Sequence, residues 1–69
     1  MEALNLDGMS ISELEAIFES PRLTDEQNCY VALRINAYHA RLAGNIADAI
    51  KSETAMEAIY RKLPKALRW

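Results

Sequence analysis

Residues 25–44 read DEQNCYVALRINAYHARLAG, and this stretch decides the fold. At the helical spacing of about 100° per residue, its apolar side chains fall into two stripes on opposite sides of one helix. The first stripe contains Val31, Ile35, Tyr38 and Leu42; the second contains Cys29, Tyr30, Leu33, Ala37 and Ala40. Because a helix in a two-layer domain buries only one stripe, the second stripe predicts an additional packing partner.

Two capping-box patterns mark where helices begin on either side of a proline. Ser10 with Glu13, and Thr24 with Gln27, each place a hydroxyl residue three positions before a glutamate or glutamine. Pro21 ends the first helix, because a residue that precedes proline avoids the α conformation. The patterns predict helices over residues 11–19 and 25–43, and the aperiodic residues 1–9 predict a loose, flexible arm.

The turn after the second helix sets the direction of a third. Gly44 predicts a left-handed stop, and Asn45 is a suitable cap for a helix over residues 46–63. Because so short a turn brings the two helices side by side, we expect an antiparallel hairpin. Pro64 closes the third helix and leaves a basic tail over residues 64–69. The third helix has a single apolar stripe of Ile46, Ala49, Met56, Ile59, Tyr60 and Leu63.

The 69 residues form a single domain whose core is marginal without help. A domain of this size buries only about 60% of its unfolded surface, so small domains add disulfides, a metal or further subunits. Cys29 is the only cysteine, so neither an internal disulfide nor a zinc site is expected. We therefore predict an all-α protein, a short N-terminal helix plus a long antiparallel helical hairpin, which assembles as a homodimeric helical bundle. The residues that we assign to the dimer interface are Cys29, Leu33, Ala37 and Ala40.

Composition and charge indicate a globular protein of the reduced cytosol. The chain is 51% hydrophobic and 26% charged, a profile of folded rather than disordered proteins. No apolar run approaches the roughly 20 residues of a membrane span, and the first residues lack the pattern of a secretory signal. The net charge of −2 is uneven: residues 1–28 carry −6 and residues 29–69 carry +4. Such a split indicates contacts between the halves, an acidic face for a basic partner, or two solvated faces.

Residues suited to catalysis or metal binding are scarce. His39 and Cys29 lie ten residues apart on one helix, about 15 Å along its axis, so they cannot share a metal or a proton. The glutamates of the first helix have no facing acid or ligand, and neither glycine belongs to a phosphate-binding loop. We expect no enzymatic activity, no cofactor and no metal site. Cys29 is expected to be a small core residue and His39 a surface or interface residue.

A small helix-turn-helix regulator that binds DNA is the alternative function. The helical hairpin and the basic second half fit that class. Against it, the overall charge is negative, and Asp48, Glu53 and Glu57 interrupt the lysines and arginines of the third helix. The short turn also favours an antiparallel hairpin over the crossing near 90–120° of a helix-turn-helix.

The segment LAGNIADAI at residues 42–50 resembles the turn between the two helices of a tetratricopeptide repeat. The resemblance covers residues 30–63, one repeat's worth, but the tryptophan-leucine-glycine signature of that family is missing upstream. A single repeat also cannot bury its own apolar face. We interpret the similarity as shared hairpin geometry.

Three further runs resemble the small early proteins of Mu-like Pseudomonas phages. They are RLAGNI at residues 41–46, IYRKLP at residues 59–64 and RW at residues 68–69. Length and helical layout are similar to the quorum-sensing anti-activator proteins of that group, which are dimeric helical inhibitors. The resemblance implies a phage protein in the host cytoplasm that inhibits a LuxR-type transcription activator through its DNA-binding region. It also implies a second target, the type IV pilus assembly ATPase.

Charged and aromatic residues on the first two helices are the candidate contacts for such partners. An acidic first helix would compete for the basic surface with which a regulator grips DNA. Arginine and tyrosine are residue types that anchor interfaces. The alternative is that Tyr30 packs in the dimer core and that the arginines pair with Glu53 or Glu57. The candidates are Glu13, Glu15, Phe18 and Glu19 on the first helix, and Tyr30, Arg34 and Arg41 on the second.

Overall fold

The computed structural model describes residues 5–69, which form an all-α fold. The three helices are α1 (Ile11–Ile17), α2 (Asp25–Leu42) and α3 (Ile46–Lys62), with short 3₁₀ turns at Leu6–Gly8 and Lys65–Leu67. α2 and α3 pack as an antiparallel hairpin, and the short α1 packs on α2. The predicted fold class is thereby confirmed for the single chain. Within the described part of the chain, no helix is both long and apolar enough to cross a membrane.

Both predicted capping boxes are present. The Ser10 hydroxyl accepts a hydrogen bond from the Glu13 amide, and the Glu13 carboxylate accepts one from the Ser10 amide, each at 3.2 Å. Thr24 and Gln27 repeat this exchange at 3.2 Å and 3.0 Å. These bonds satisfy amide groups that have no partner inside a helix, so they explain where α1 and α2 begin.

α1 ends at Ile17, two residues before the predicted boundary. Glu19 adopts a left-handed conformation with φ of 63°, which no helix can continue. Its amide donates to the side-chain oxygen of Asn28 on α2 at 2.6 Å. The chain therefore leaves α1 before Pro21 imposes its own restriction, and the connection is tied to the start of α2.

The turn between α2 and α3 has the predicted geometry. Gly44 has φ of 80°, the left-handed conformation expected of a helix stop. The Gly44 amide donates to the Arg41 carbonyl at 3.1 Å and the Asn45 amide donates to the Ala40 carbonyl at 2.8 Å, a Schellman motif. The Asn45 side chain then accepts from the Asp48 amide at 3.3 Å and begins α3.

α3 covers the second apolar stripe of α2. On the helical projection that stripe lies between Asn36 and Arg41, and both residues bond to α3. Asn36 donates to the Ser52 hydroxyl at 2.7 Å, and Arg41 bonds to the Glu53 carboxylate. Ala37, between them, is 5% exposed and belongs to the chain's own core.

The first stripe of α2 is partly covered by α1. Val31 is fully buried in the same core as Leu14 of α1, and Ile35 packs against that core. The second stripe therefore finds its partner inside the chain, whereas α1 covers only part of the first stripe and leaves Tyr38 and Leu42 exposed. A second subunit on the uncovered part stays a prediction.

The expected loose arm over residues 1–9 is not what the structure shows for residues 5–9. A 3₁₀ turn over Leu6–Gly8 is capped by the Asn5 side chain, which accepts from the Gly8 amide at 3.1 Å. Leu6 is 0% exposed and joins the core with Leu14 and Met56. One large apolar side chain without helical periodicity was enough to anchor the segment. Residues 1–4 lie outside the described residues.

Candidate protein-interaction surface

Four large apolar side chains are exposed around the turn of the hairpin. Tyr38 and Leu42 end α2, Ile46 and Ile50 begin α3, and each pair has the four-residue spacing of one helix face. Their exposed fractions are 43%, 70%, 47% and 53%. We call these four residues the hairpin tip. Large exposed apolar patches mark protein-interaction sites in soluble proteins, so the tip is a candidate binding surface.

The tip is exposed because α1 is too short to cover the hairpin. Seven residues of helix span about 10 Å, whereas the 18 residues of α2 span about 27 Å. A groove of about 470 Å³ continues from α1 toward the tip. Its lining includes Ile11 and Leu14 of α1, Ala37 and Tyr38 of α2, and Met56 of α3. The groove and the tip meet at Tyr38.

An ion pair between the two hairpin helices lines the same groove. Arg41 bonds to Glu53 at two points, Nε to Oε2 at 2.9 Å and Nη2 to Oε1 at 2.6 Å. The hydrogen bonds that Arg41 donates, together with its positive charge, lower the pKa of Glu53. The same hydrogen bonds and the negative charge of Glu53 raise the pKa of Arg41. Both side chains are about half exposed, so the pair lies at the surface.

The acidic face of α1 is open to solvent. Glu13, Glu15 and Glu19 are all exposed, although Glu13 also closes the capping box. Glu15 lies 3.9 Å from Nε2 of His39 on α2. Phe18 is 40% exposed and borders, with Glu15, a shallow pocket against Ile35 and His39. Of the four candidate residues predicted on the first helix, Glu15 and Phe18 thus share one pocket, whereas Glu13 lines a different one with Ala16 and Ile17.

The three candidates on α2 do not form one surface. Tyr30 is buried against Trp69 in the core of the single chain, whereas the sequence alternative placed it in a dimer core. Arg34 is half-buried, has a partner of its own and lines the groove. Arg41 is exposed and bonded to Glu53, as the second alternative anticipated.

The residues assigned to the dimer interface also separate. Ala37 is buried, and Leu33 and Ala40 are half-buried in the stripe that faces α3. That part of the predicted interface is therefore already occupied within the chain. Cys29 was expected in a core, but its thiol side chain is exposed because it lies at the edge of the stripe.

No cluster of three metal-ligating side chains occurs in residues 5–69. His39 approaches Glu15, and Cys29 lies elsewhere on α2, so the two do not form a joint site. The basic side chains of α2 and α3 that would contact DNA are partly engaged with acids, Arg41 with Glu53 and Arg61 with Glu57.

Sequence reasoning missed the tip. It assigned Ile46 to the buried stripe of the third helix, yet Ile46 is nearly half exposed. The available signal was Ile50, which lies four residues after Ile46 and outside the stripe through Ala49 and Met56. Ile46 and Ile50 share a helix face that differs from the buried stripe, and Leu42 lies just across the turn. This pattern indicates a separate apolar surface.

The chain matches no protein-family model, and neither a curated protein nor a solved structure shows significant similarity to it.

Proposed function

We propose that this chain is a non-enzymatic inhibitor that acts by binding host proteins through the acidic face of α1. The observation that supports this proposal is the exposed aromatic ring of Phe18, which borders one pocket with Glu15 and is followed in the chain by the exposed Glu19. An aromatic anchor bordered by charges of one sign suits a partner with a basic rim around an apolar pocket.

The resemblance to the phage anti-activators suggests which partner this is. The DNA-binding region of a LuxR-type activator must be basic to hold phosphates. The acidic face of α1 would compete with DNA for that surface. The type IV pilus assembly ATPase is the second target that the resemblance suggests.

Competition with DNA tests the proposal directly. Purified activator DNA-binding domain is bound to labelled operator duplex, and the chain is titrated in at two salt concentrations. We expect displacement of the duplex that weakens with salt and with the double variant Glu15→Lys/Glu19→Lys. Glu57→Lys makes a charge reversal on α3, away from this face, and should displace like the wild type. Equal displacement by the double variant would refute the assignment of this face.

A homodimer is the second part of the proposal, and we place its interface at the hairpin tip. The tip includes Tyr38 and Leu42, the part of the first stripe of α2 that α1 leaves uncovered. A two-fold dimer uses the same patch on both subunits. In the groove beside Tyr38, Arg41 and Glu53 neutralise one another as an ion pair, and Arg34 is the further charged residue of the lining.

Light scattering and sedimentation of the wild type and Leu42→Asp test this interface. We expect a wild-type dimer at low micromolar concentration and a folded monomer for the variant, with helicity checked by circular dichroism. Ala58→Asp adds the same charge at an exposed position of α3 and should stay dimeric. A wild-type monomer that remains folded at that concentration would rule the dimer out.

A further inference from the structure

Residues 64–69 fold back over the open end of the hairpin, opposite the tip. After Pro64 the chain makes the 3₁₀ turn Lys65–Leu67, and Leu67, Arg68 and Trp69 are half-buried. Trp69 packs against the core. The segment therefore acts as a cover for the end where α2 begins and α3 finishes.

The ring of Trp69 lies in a slot between two tyrosines of different helices. Its centroid is 4.7 Å from that of Tyr30 on α2 and 4.8 Å from that of Tyr60 on α3, with interplanar angles of 69° and 71°. Edge-to-face contacts at these distances are favourable. Tyr30 and Tyr60 also line a shallow pocket of about 230 Å³ next to Met56.

Few hydrogen bonds tie the segment to the rest of the fold. The Tyr60 hydroxyl donates to the main-chain oxygen of Trp69 at 2.7 Å, and the Gln27 amide donates to the Leu67 carbonyl at a long 3.4 Å. Arg68 donates to the carbonyls of Leu63 and Arg61, at 3.0 and 2.7 Å. Those two bonds tie the segment to the last turn of α3.

The indole N–H of Trp69 is buried and finds no acceptor among the described residues. A buried donor without an acceptor raises the free energy of the closed state. Opening the segment would let water accept from that N–H. The aromatic contacts favour the closed state, whereas the unpaired indole N–H opposes it. The free-energy difference between the closed and open states is therefore smaller than the packing alone suggests.

We propose that residues 64–69 form a latch that opens without unfolding of the helices, and that the Tyr30–Tyr60 slot it uncovers accepts a flat aromatic group. In the closed state Trp69 occupies this slot and excludes other aromatic rings. The latch lies at the opposite end of the hairpin from the tip, so it is separate from the proposed dimer surface.

Hydrogen exchange of the indole N–H measures the opening. Trp69 is the only tryptophan, so its indole gives a single resonance. We expect it to exchange at least tenfold faster than the amides of Val31 and Met56, which require opening of the core. Tyr60→Phe removes one latch bond and should speed indole exchange severalfold, whereas Tyr38→Phe at the exposed tip should leave it unchanged. An indole N–H as protected as the core amides, and insensitive to Tyr60→Phe, would overturn the latch.

Free indole added to Trp69→Ala tests the slot. We expect indole to shift the ring resonances of Tyr30 and Tyr60 in the variant more than in the wild type at the same concentration. A folded variant without such shifts would overturn the slot. If Trp69→Ala does not fold, the test relies on exchange of the indole N–H in the wild type and in Tyr60→Phe. An indole N–H that exchanges as slowly as the core amides in both proteins would show that Trp69 belongs to the global folding unit, and would overturn the latch.

Discussion

Arg41 and Glu53 form a two-point ion pair that joins α2 to α3 across the groove, at 2.9 and 2.6 Å. A planar guanidinium matches a carboxylate in this bidentate geometry, which a lysine could not reproduce. The pair connects the middle of α3 to the last turn of α2, close to the tip. It therefore helps to hold the position of the surface that we assign to self-association.

The Arg41–Glu53 pair should make stability depend on pH in the acid range. Because the folded-state pKa of Glu53 is lowered, its contribution is present above the unfolded-state pKa of about 4.3 and is lost as the pH falls through the folded value. We expect the urea midpoint of the wild type to fall more steeply below about pH 5 than that of Glu53→Gln. The effect should be small and weaken with salt, because both groups are exposed.

Glu57→Gln is the matched control for that comparison, since Glu57 pairs with Arg61 within one turn of α3 and does not join two helices. Its pH profile should follow the wild type. If Glu53→Gln also follows the wild type, the pair makes no contribution to folding.

Leu6 should be as important for stability as a residue of the helices. Its side chain is fully buried, so Leu6→Ala leaves a cavity in the small core. We expect a loss of about 2–5 kcal/mol in the free energy of unfolding, measured by urea denaturation. Lys51→Ala truncates an exposed side chain outside the tip and should change the free energy by no more than about 0.5 kcal/mol. Equal effects of the two substitutions would contradict the burial of the N-terminal segment.

Local signals predicted the helices and the hairpin, because capping and turn chemistry act within a few residues. Ser10, Thr24, Gly44 and Asn45 each satisfy backbone groups next to themselves, so their roles can be derived without knowledge of the fold. The same reasoning found both stripes of α2 but could not assign their partners. Which element covers which stripe depends on the path of the chain.

Contacts between distant segments account for the other differences. Leu6 and Trp69 are single large side chains without periodic neighbours, and each packs against residues far away in the sequence. Their burial also changes the candidate site, because Trp69 covers Tyr30. The exposure of Glu15 and Phe18 agrees with their proposed roles, although only Glu15 lies off the helical face that Ile11 and Leu14 define.

Gly44 should resist substitution through backbone conformation and not through crowding. Its φ of 80° is unfavourable for a residue with a side chain, whereas an added methyl group would meet no atom within 4 Å. We expect Gly44→Ala to lower the free energy of unfolding by about 1 kcal/mol, and Gly44→Asn by less, because asparagine tolerates this conformation. Thermal and urea unfolding would measure which of the two variants is less stable. A larger loss of stability for Gly44→Asn than for Gly44→Ala would indicate crowding instead.

The hydrogen bond from Asn36 to the Ser52 hydroxyl should contribute to the alignment of α2 with α3. Ser52 is buried and the bond is 2.7 Å long, so removing Asn36 takes away a donor from a hydroxyl that water reaches poorly. A double-mutant cycle with Asn36→Ala and Ser52→Ala should give a coupling of about 0.5–1.5 kcal/mol. Pairing Asn36→Ala with Thr54→Ala, whose hydroxyl bonds to Ile50 within α3, should give none. If the effects of Asn36→Ala and Ser52→Ala are additive, this hydrogen bond does not stabilise the hairpin. The apolar stripe and the Arg41–Glu53 pair would then hold α2 against α3.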